Sequence, residues 1–415
     1  MKFKSHLILL FFSLSILFAC AETKQQIEWR KAQWIGYTND VRPDNWSARE
    51  LIFKKHGISN PKSYVSPLLR KRFELNKTVV SAKIYVCGLG LYELYLNGKK
   101  VGDRVLDPAQ TSYDERAFYV VHDVTKLLNQ NKNALGLILG SGFYGQNVAF
   151  KSNLEYASPR AIVILRLRYT DGSSEYIVSD DTWKAKNSPV LFDNIYLGET
   201  YDARRAIDGW STPEFDDSSW FPVELVDAPT DNLLEQELEP MRKIRKVEPK
   251  AILPAEKGWI IDMGQNMTGW LQINVNEEEG TVVKMRFAEL LMPDKNNIDP
   301  ASTGGHVTGD VQTDIFICSG KGLETWEPRF TYHGFRYVQI EGLSQKPKLE
   351  VFTGWLVRTD VARIGTFDCS DTLINKFYEV SMWTIEDNIQ GILTDCPHRE
   401  RCAWMGDTYV VAEAA

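Results

Sequence analysis

The residues best suited to chemistry lie together near the end of the sequence, in Thr394-Asp395-Cys396-Pro397-His398-Arg399-Glu400-Arg401-Cys402-Ala403-Trp404-Met405-Gly406-Asp407. Carboxylates, arginines and a tryptophan in one irregular segment suit the cleavage of a glycosidic bond. That reaction needs one carboxylic acid to protonate the leaving oxygen and a second carboxylate for water or covalent attack. A carboxylic acid stays protonated at neutral pH where its neighbours are apolar or anionic. Glu400 is the candidate acid, with Trp404 nearby and Asp395 and Asp407 as possible like-charge neighbours.

The same residues also allow a structural interpretation. Asp407 could be the N-cap of a following helix, and Asp395 could cap the turn through Pro397. Glu400 and the two arginines could form a solvated ion-pair network. Residue types and spacing leave both interpretations open.

Two predicted helices flank this segment. Apolar residues recur at helical spacing from Asp371 to Asn388, and Ser370 or Asp371 can cap the start. A second apolar helix is predicted after Gly406. The residues that remain cannot complete a large helical domain, so we expect 359–415 to be the truncated start of one.

Upstream of residue 359 the hydrophobic period is two, which is typical of strands. Residues 66–235 are predicted to form a β-sandwich of the jelly-roll type. Apolar alternation indicates strands at 83–87, 92–96, 134–139 and 161–169, and Asn97-Gly98 is predicted to close the first two as a tight hairpin turn. Residues 255–358 are predicted to form a second all-β sandwich. Residues 20–65 are predicted as a lead-in strand and loop, and 236–254, rich in Glu, Lys and Pro, as a linker.

Composition narrows the class of partner. The 415 residues carry a net charge of −7, which argues against a nucleic-acid partner because phosphate binding requires a basic face. The 12 tryptophans and 12% aromatic residues suit sugar binding, but β-rich cores also favour aromatic residues.

The N-terminus is typical of an exported protein. Met1-Lys2-Phe3-Lys4 is basic, the apolar run that follows is too short to span a bilayer comfortably, and Leu17-Phe18-Ala19-Cys20 resembles a lipobox. We therefore predict a lipoprotein signal peptide over 1–19. Lipid on Cys20 would tether the mature protein to a bacterial membrane, in the periplasm or at the cell surface. An ordinary secretory signal, with Cys20 incidental, is the alternative.

The other cysteines, Cys87, Cys318, Cys369, Cys396 and Cys402, lack the spacing of a disulfide framework or a zinc site. Cys396 and Cys402 are close enough in sequence to pair in an oxidising compartment. We predict no metal site and no cofactor, and no EF-hand loop is found, although the sequence does not decide whether Ca²⁺ binds.

The 394–407 segment resembles the acid-bearing loop of glycoside hydrolase family 78, the bacterial α-L-rhamnosidases, where the pattern is roughly Asp-Cys-Pro-x-Arg-Glu-Arg-x-Gly-Trp-x-Gly-Asp. Ala403 stands where the family usually has Gly. The resemblance runs from about Trp34 to the end of the sequence, in the family's order. Further matching stretches are Gly88–Leu94, Gly198–Arg204, Asp262–Trp270 and Pro328–Tyr337.

The resemblance implies an inverting hydrolase of terminal α-L-rhamnosides in glycosides or polysaccharides, with an (α/α)6 catalytic barrel. By position, Glu400 resembles the general acid, and Asp395 and Asp407 resemble residues that bind rhamnose hydroxyls. Trp404 would contact the sugar's methyl side, and Arg399 would order the carboxylates. The family's general base is a Glu much further along the chain, so we expect this chain to be inactive alone.

The predicted fold is therefore multidomain and mainly β: two β-sandwiches followed by the first helices of an incomplete (α/α)6 barrel. A carbohydrate-binding or scaffolding module without catalysis is the alternative. Another inverting hydrolase on the same barrel, such as an L-fucosidase, fits the β modules and the Cys-Pro-x-Arg-Glu run less well.

Overall fold

The computed structural model describes residues 27–38, 66–146, 156–303 and 311–413. The described chain is mainly β, as predicted, with two packed β modules followed by two α-helices. The predicted signal peptide 1–19, Cys20 and most of the 20–65 segment lie outside the described residues. Among the helices of the described ranges, none has the length and apolar character needed to cross a membrane.

The N-terminal module is a sandwich of two sheets. Strands of the first sheet are β1 (Ile35–Gly36), β3 (Val79–Leu89), β6 (Ala117–Asp123), β8 (Arg160–Tyr169), β9 (Ser174–Val178), β14 (Glu224–Leu225) and β15 (Leu233–Glu235), in the order β14-β1-β8-β3-β6-β15 with β9 beside β8. Strands of the second are β2 (Pro67–Glu74), β4 (Leu91–Leu96), β5 (Lys99–Lys100), β7 (Lys132–Gly140), β10 (Lys184–Asn187) and β13 (Phe221–Pro222), in the order β13-β10-β2-β7-β4-β5. Alternate residues of both sheets fill the core between them, with Ile84, Leu94, Val163 and Trp183 buried.

The turn at Asn97-Gly98 joins β4 to the short strand β5 and not the two longer strands that precede it. Its residues have φ of 52° and 83°, which suits a tight hairpin turn. The strands predicted at 83–87 and 92–96 belong to opposite sheets, because Gly90, with φ of 98°, turns the chain from β3 into β4.

The second module is one ten-stranded sheet that curls around its own core. Its strands are β11 (Val190–Asn194), β12 (Gly198–Asp202), β16 (Met241–Val247), β17 (Ala251–Pro254), β18 (Trp259–Val275), β19 (Val282–Ala288), β20 (Thr313–Ile317), β21 (Glu324–Trp326), β22 (His333–Glu341) and β23 (Phe352–Thr359). The long strand β18 changes register between Asp262 and Met267. Its first part pairs with β17 and β22, and its last part with β21 and β23. This irregularity lets a continuous sheet enclose a core.

Two parts of the predicted division along the chain are wrong. The predicted linker 236–254 contains β16, which pairs with β23, and β17, which pairs with β18. The hairpin β11–β12, inside the predicted first sandwich, belongs to the second sheet, where β12 lies parallel to β20. These pairings join distant parts of the chain, so local composition did not indicate them.

A shared apolar core joins the two modules. Leu68 and Ile138 of the N-terminal sandwich pack in one buried cluster with Trp270, Phe330 and Val357 of the second module. Burial of side chains of this size contributes about 1.5–3 kcal/mol each. The modules therefore present one rigid support to the helices.

The helices are α1 (Thr372–Asp387) and α2 (Met405–Val411). Asp371 caps α1 as predicted, because its carboxylate accepts hydrogen bonds from the N–H groups of Leu373 and Ile374. Short 3-10 helices lie at Trp29–Lys31, Thr125–Leu127, Ala203–Arg205, Pro300–Ser302 and Leu349–Val351.

Candidate active site

The 388–404 loop, which joins α1 to α2, contains most of the predicted site residues and packs against the second module. Its start is fixed at Asp387, whose carboxyl Oδ1 accepts a hydrogen bond from the Thr268 N–H at 2.9 Å. The Thr268 hydroxyl also donates to the Asp387 carbonyl at 2.8 Å. Burial raises the pKa of Asp387 to about 8. The end of α1 is thereby held on strand β18.

Asp395 closes the 388–404 loop upon itself. Its Oδ1 accepts from the Cys402 N–H at 2.9 Å, while its own N–H donates to the Cys402 carbonyl at 3.0 Å. Cys396 and Cys402 are free thiols, and the Cys396 sulfur accepts from the Glu400 N–H at 3.2 Å. These contacts hold Glu400 at the tip of a tight chain reversal.

The Glu400 side chain contacts Trp404. Its Oε2 accepts a hydrogen bond from the Trp404 indole N–H at 2.5 Å, and the tryptophan is 52% exposed. Glu400 is half-buried. The carboxyl is therefore held by a donor yet remains open on one side, which an acid that must reach a substrate oxygen requires.

Asp395 and Asp407 line one cavity of about 520 Å³ between α1 and α2, together with apolar residues that include Ile385, Leu393 and Val410. Asp407 lies in the first turn of α2, whose N-cap is Trp404. The alternative in which Asp407 is the N-cap is therefore wrong. Two carboxylates beside apolar walls can bind the hydroxyls and the hydrophobic side of one sugar.

Arg399 is exposed, and its charge acts on Glu289 of the second module. Burial opposes the ionisation of Glu289 and by itself would raise its pKa. A hydrogen bond and the charge of His398 act in the opposite direction, together with a hydrogen bond from Asn266 and the charge of Arg399. As a result the pKa of Glu289 lies below its usual value. His398 is buried, with Nε2 at 3.2 Å from the Glu289 carboxylate. The ordering of the site's carboxylates by Arg399 stays a prediction.

The sequence did not indicate which residues outside the loop support it. Arg401 is directed into the second module, so it takes no part in the solvated ion-pair network considered as an alternative. Its partners are on β11–β12 and beside β20, far away in sequence. Only the pairing of distant strands brings them to the loop, so no local motif marked them.

A larger cavity of about 620 Å³ lies between the two modules, and none of the predicted site residues line it. Its lining combines aromatic residues with charged residues that are paired with each other. Arg329 and Lys100 both contact Glu93, and Lys243 contacts Glu327. Across the described ranges, no cluster of three or more His, Cys, Asp or Glu side chains could hold a metal ion.

Family profiles match three consecutive parts of the chain. They are the α-L-rhamnosidase N-terminal domain at 77–245, the bacterial α-L-rhamnosidase concanavalin-like domain at 253–358 and the bacterial α-L-rhamnosidase six-hairpin glycosidase domain at 362–415. Their order and extent agree with the resemblance found in the motifs.

Individual proteins match across the same range. An α-L-rhamnosidase of Formosa agariphila is 43% identical over 397 residues, covering 93% of this chain. The solved α-L-rhamnosidase of Dictyoglumus thermophilum is 39% identical with a TM-score of 0.82, covering 94% of this chain and 42% of that one. The Streptomyces avermitilis enzyme, solved with L-rhamnose, is 34% identical with a TM-score of 0.81, covering 86% of this chain and 34% of that one. This chain spans 42% of the Formosa protein's length.

Proposed function

Because the chain belongs to the bacterial α-L-rhamnosidases, glycoside hydrolase family 78, we propose that the protein is an inverting α-L-rhamnosidase whose general acid is Glu400. One observation carries the proposal. In the loop between α1 and α2, Glu400 is held by Trp404 while Asp395 and Asp407 face a common cavity. A module that only binds or supports would not need three carboxylates in this arrangement.

In the proposed reaction the Glu400 carboxyl donates its proton to the glycosidic oxygen as the bond from that oxygen to the anomeric carbon breaks. The bonding electron pair leaves with the oxygen. Water adds to the anomeric carbon from the opposite face and gives its proton to a second carboxylate, which lies about 6.5–9.5 Å from the acid in inverting enzymes. We propose that this base is a Glu further along the whole protein, as in the family.

The proposed substrate is a terminal α-L-rhamnoside of a glycan or glycoside. Asp395 and Asp407 would accept hydrogen bonds from rhamnose hydroxyls, and the exposed ring of Trp404 would contact its methyl side. Arg399 would order the carboxylates. Support comes from the Streptomyces avermitilis relative, which was solved with L-rhamnose.

Turnover is proposed to need more of the family's catalytic domain than residues 362–415, the part of this chain that matches it. Support comes from the faces of α1 and α2, where Phe377 is 74% and Tyr409 is 85% exposed. Apolar side chains at helical spacing normally pack against neighbouring helices. We therefore expect no release of nitrophenol from an aryl α-L-rhamnoside by residues 20–415 alone.

Export and lipid attachment at Cys20 are proposed for the whole protein. Support comes from the sequence alone, in the basic start, the apolar run and the Leu17-Phe18-Ala19-Cys20 ending. A lipid tether would place the enzyme at a bacterial membrane, in the periplasm or facing outward. No cofactor is proposed.

Glu400→Gln in the full-length protein tests the acid role. We expect turnover of an alkyl α-L-rhamnoside to fall by about 100-fold or more, since general acid catalysis contributes about 10²–10⁴. Rhamnose binding should be largely kept. Glu214→Gln, an exposed change in the N-terminal sandwich, is the matched control. Activity of Glu400→Gln within a few-fold of wild type would remove Glu400 from the acid role.

Binding of carbohydrate without catalysis is the second candidate. It is favoured by the 620 Å³ cavity, where Tyr201, Trp270 and Trp326 stand beside charged groups that can bind hydroxyls. Titration of the full-length protein with rhamnose oligosaccharides, together with product analysis, separates the two. Binding without any released rhamnose would favour the second candidate.

A further inference from the structure

Arg401 is a buried cation in the 388–404 loop. Its side chain is fully buried, and its guanidinium carbon lies 4.2 Å from the ring centre of Tyr332 and 5.3 Å from that of Tyr196. It donates to the Ile195 carbonyl and, at 3.3 Å, to Oε1 of Gln312. The charge of Asp314 acts on Arg401, but the Asp314 carboxylate is paired with Nε2 of His333 at 2.9 Å. Burying an unpaired cation is costly, and apolar residues would fill such a site at least as well.

The surface that receives Arg401 is rigid. The turn between β11 and β12 is shaped by Asn194, whose side-chain oxygen accepts from the N–H groups of Tyr196 and Leu197 at 3.0 and 3.1 Å. The Gln312 N–H donates to the Tyr196 carbonyl at 3.0 Å. Gln312 Oε1 also accepts from the Gly334 N–H at 2.8 Å. The acceptors of Arg401 are thus fixed by strands of the second module.

The same turn contacts the backbone of Glu400. The Tyr196 hydroxyl donates to the Glu400 carbonyl at 2.9 Å. Arg401, with φ of 53°, takes the left-handed conformation, which is uncommon for residues other than glycine. Consequently the Arg401 side chain enters the module, while the side chain of Glu400 meets the half-exposed Trp404.

We propose that Tyr196 and Arg401 are positioning residues for the general acid, and that the β11–β12 turn sets where Glu400 presents its proton. This proposal rests on the proposed acid role of Glu400. The Tyr196 hydroxyl binds the Glu400 carbonyl, and the buried side chain of Arg401 anchors the residue that follows Glu400. The peptide group between Glu400 and Arg401 is therefore fixed on both sides. Rotation of that peptide would move the carboxyl away from Trp404 and from a bound glycosidic oxygen.

Tyr196→Phe tests the proposal with little change in volume. The matched control is Tyr92→Phe, which removes a buried hydroxyl contact of similar length, 3.0 Å to Nε2 of His122, in the N-terminal sandwich. In the full-length enzyme, Tyr196→Phe should lower kcat on an alkyl α-L-rhamnoside by about 10-fold, a part of the contribution of general acid catalysis. KM should stay within about twofold, since the change is not among the sugar-binding groups. Tyr92→Phe should keep the wild-type kcat.

The leaving group separates positioning from a general structural defect. A dinitrophenyl α-L-rhamnoside needs little proton donation, so the Tyr196→Phe defect should shrink to about twofold or less on that substrate. Equal losses on the alkyl and dinitrophenyl substrates would overturn the proposal. So would a wild-type kcat for Tyr196→Phe on the alkyl substrate.

A second measurement does not depend on activity. Backbone amides of the 395–404 peptide should exchange hydrogen at least about 10-fold faster in Tyr196→Phe and in Arg401→Lys than in Tyr92→Phe, because local opening becomes easier. Lys lacks the planar fork that bridges two acceptors and stacks on rings. Unchanged exchange in both variants would overturn the proposal. If the unmutated full-length protein had no rhamnosidase activity but both variants still exchanged faster, the proposed function would be wrong. The role of Tyr196 and Arg401 in fixing the loop would then still stand.

Discussion

Replacing Gly334 with Ala should displace the 388–404 loop without altering any of its residues. A Cβ at position 334 would lie 2.6 Å from Cγ and 3.1 Å from Cβ of Pro397, whereas ordinary contact begins at 3.4 Å. The proline ring is bonded to its own backbone nitrogen, so it cannot rotate away from the added Cβ. Either strand β22 or the loop must therefore move, by roughly 1 Å at Pro397, and β22 is held by strands on both sides.

Two magnitudes follow from this displacement. Overpacking of this kind costs about 1–3 kcal/mol of unfolding free energy. A shift of about 1 Å in a catalytic group can cost about 100-fold in rate. We therefore expect Gly334→Ala to lower kcat/KM by about 10- to 100-fold while the protein still folds. The measurements are urea unfolding and steady-state kinetics of the full-length enzyme on an alkyl α-L-rhamnoside.

Gly136→Ala is the matched control for the same reasoning. Its Cβ would lie 2.5 Å from the Trp210 ring, which packs against the apolar core shared by the two modules. It should lower the free energy of unfolding to a similar extent and leave kcat/KM within about twofold, since the Trp210 ring packs against the rings of Tyr95 and Trp220. Full activity of Gly334→Ala, or an equal loss of activity in Gly136→Ala, would refute the argument that Pro397 transmits the displacement.

Three further predictions concern single side chains. Trp404→Phe removes the donor to Glu400 Oε2 and should lower kcat by about 10-fold with the fold retained, measured by kinetics and circular dichroism. Because burial raises the pKa of Asp387 to about 8, the folded state keeps a proton that the unfolded state releases above about pH 4, so stability falls as pH rises through this window. Asp387→Asn should therefore gain stability relative to wild type between pH 5 and pH 8 in urea unfolding, and a constant difference would contradict the pKa shift. Cys20→Ser in the full-length protein should move it from the washed membrane fraction to the soluble fraction; retention in membranes would remove the lipid anchor.

Local patterns predicted the elements whose structure is decided locally. Strands β7 and β8 were indicated by alternating apolar residues, and the start of α1 by Asp371, because side-chain alternation and capping depend on near neighbours in sequence. The 236–254 segment was mistaken for a linker because β16 is rich in basic residues, in Met241-Arg242-Lys243-Ile244-Arg245-Lys246-Val247, and apolar alternation is weak there.

The candidate site divides in the same way. The family motif indicated Glu400, Asp395 and Asp407, and the structure brings Asp395 and Asp407 to one cavity and Glu400 to Trp404. The contacts that fix the loop, from Tyr196 and Gln312, depend on the parallel pairing of β12 with β20. Such pairing between strands that are distant in sequence produces no motif of fixed spacing, so it could not be read from the sequence.

Because the hairpin β11–β12 belongs to the sheet of the second module, the two modules cannot be separated by truncating the chain between them. A gene fragment beginning at residue 255 would lack both strands and would leave the backbone of β20 exposed at the edge of its sheet, where unpaired strands promote aggregation. It would also leave out Tyr196 and Ile195, to which the 388–404 loop is bound. We therefore expect recombination between relatives that exchanges catalytic domains to carry the N-terminal sandwich along, so that the three matched domains are inherited as one unit.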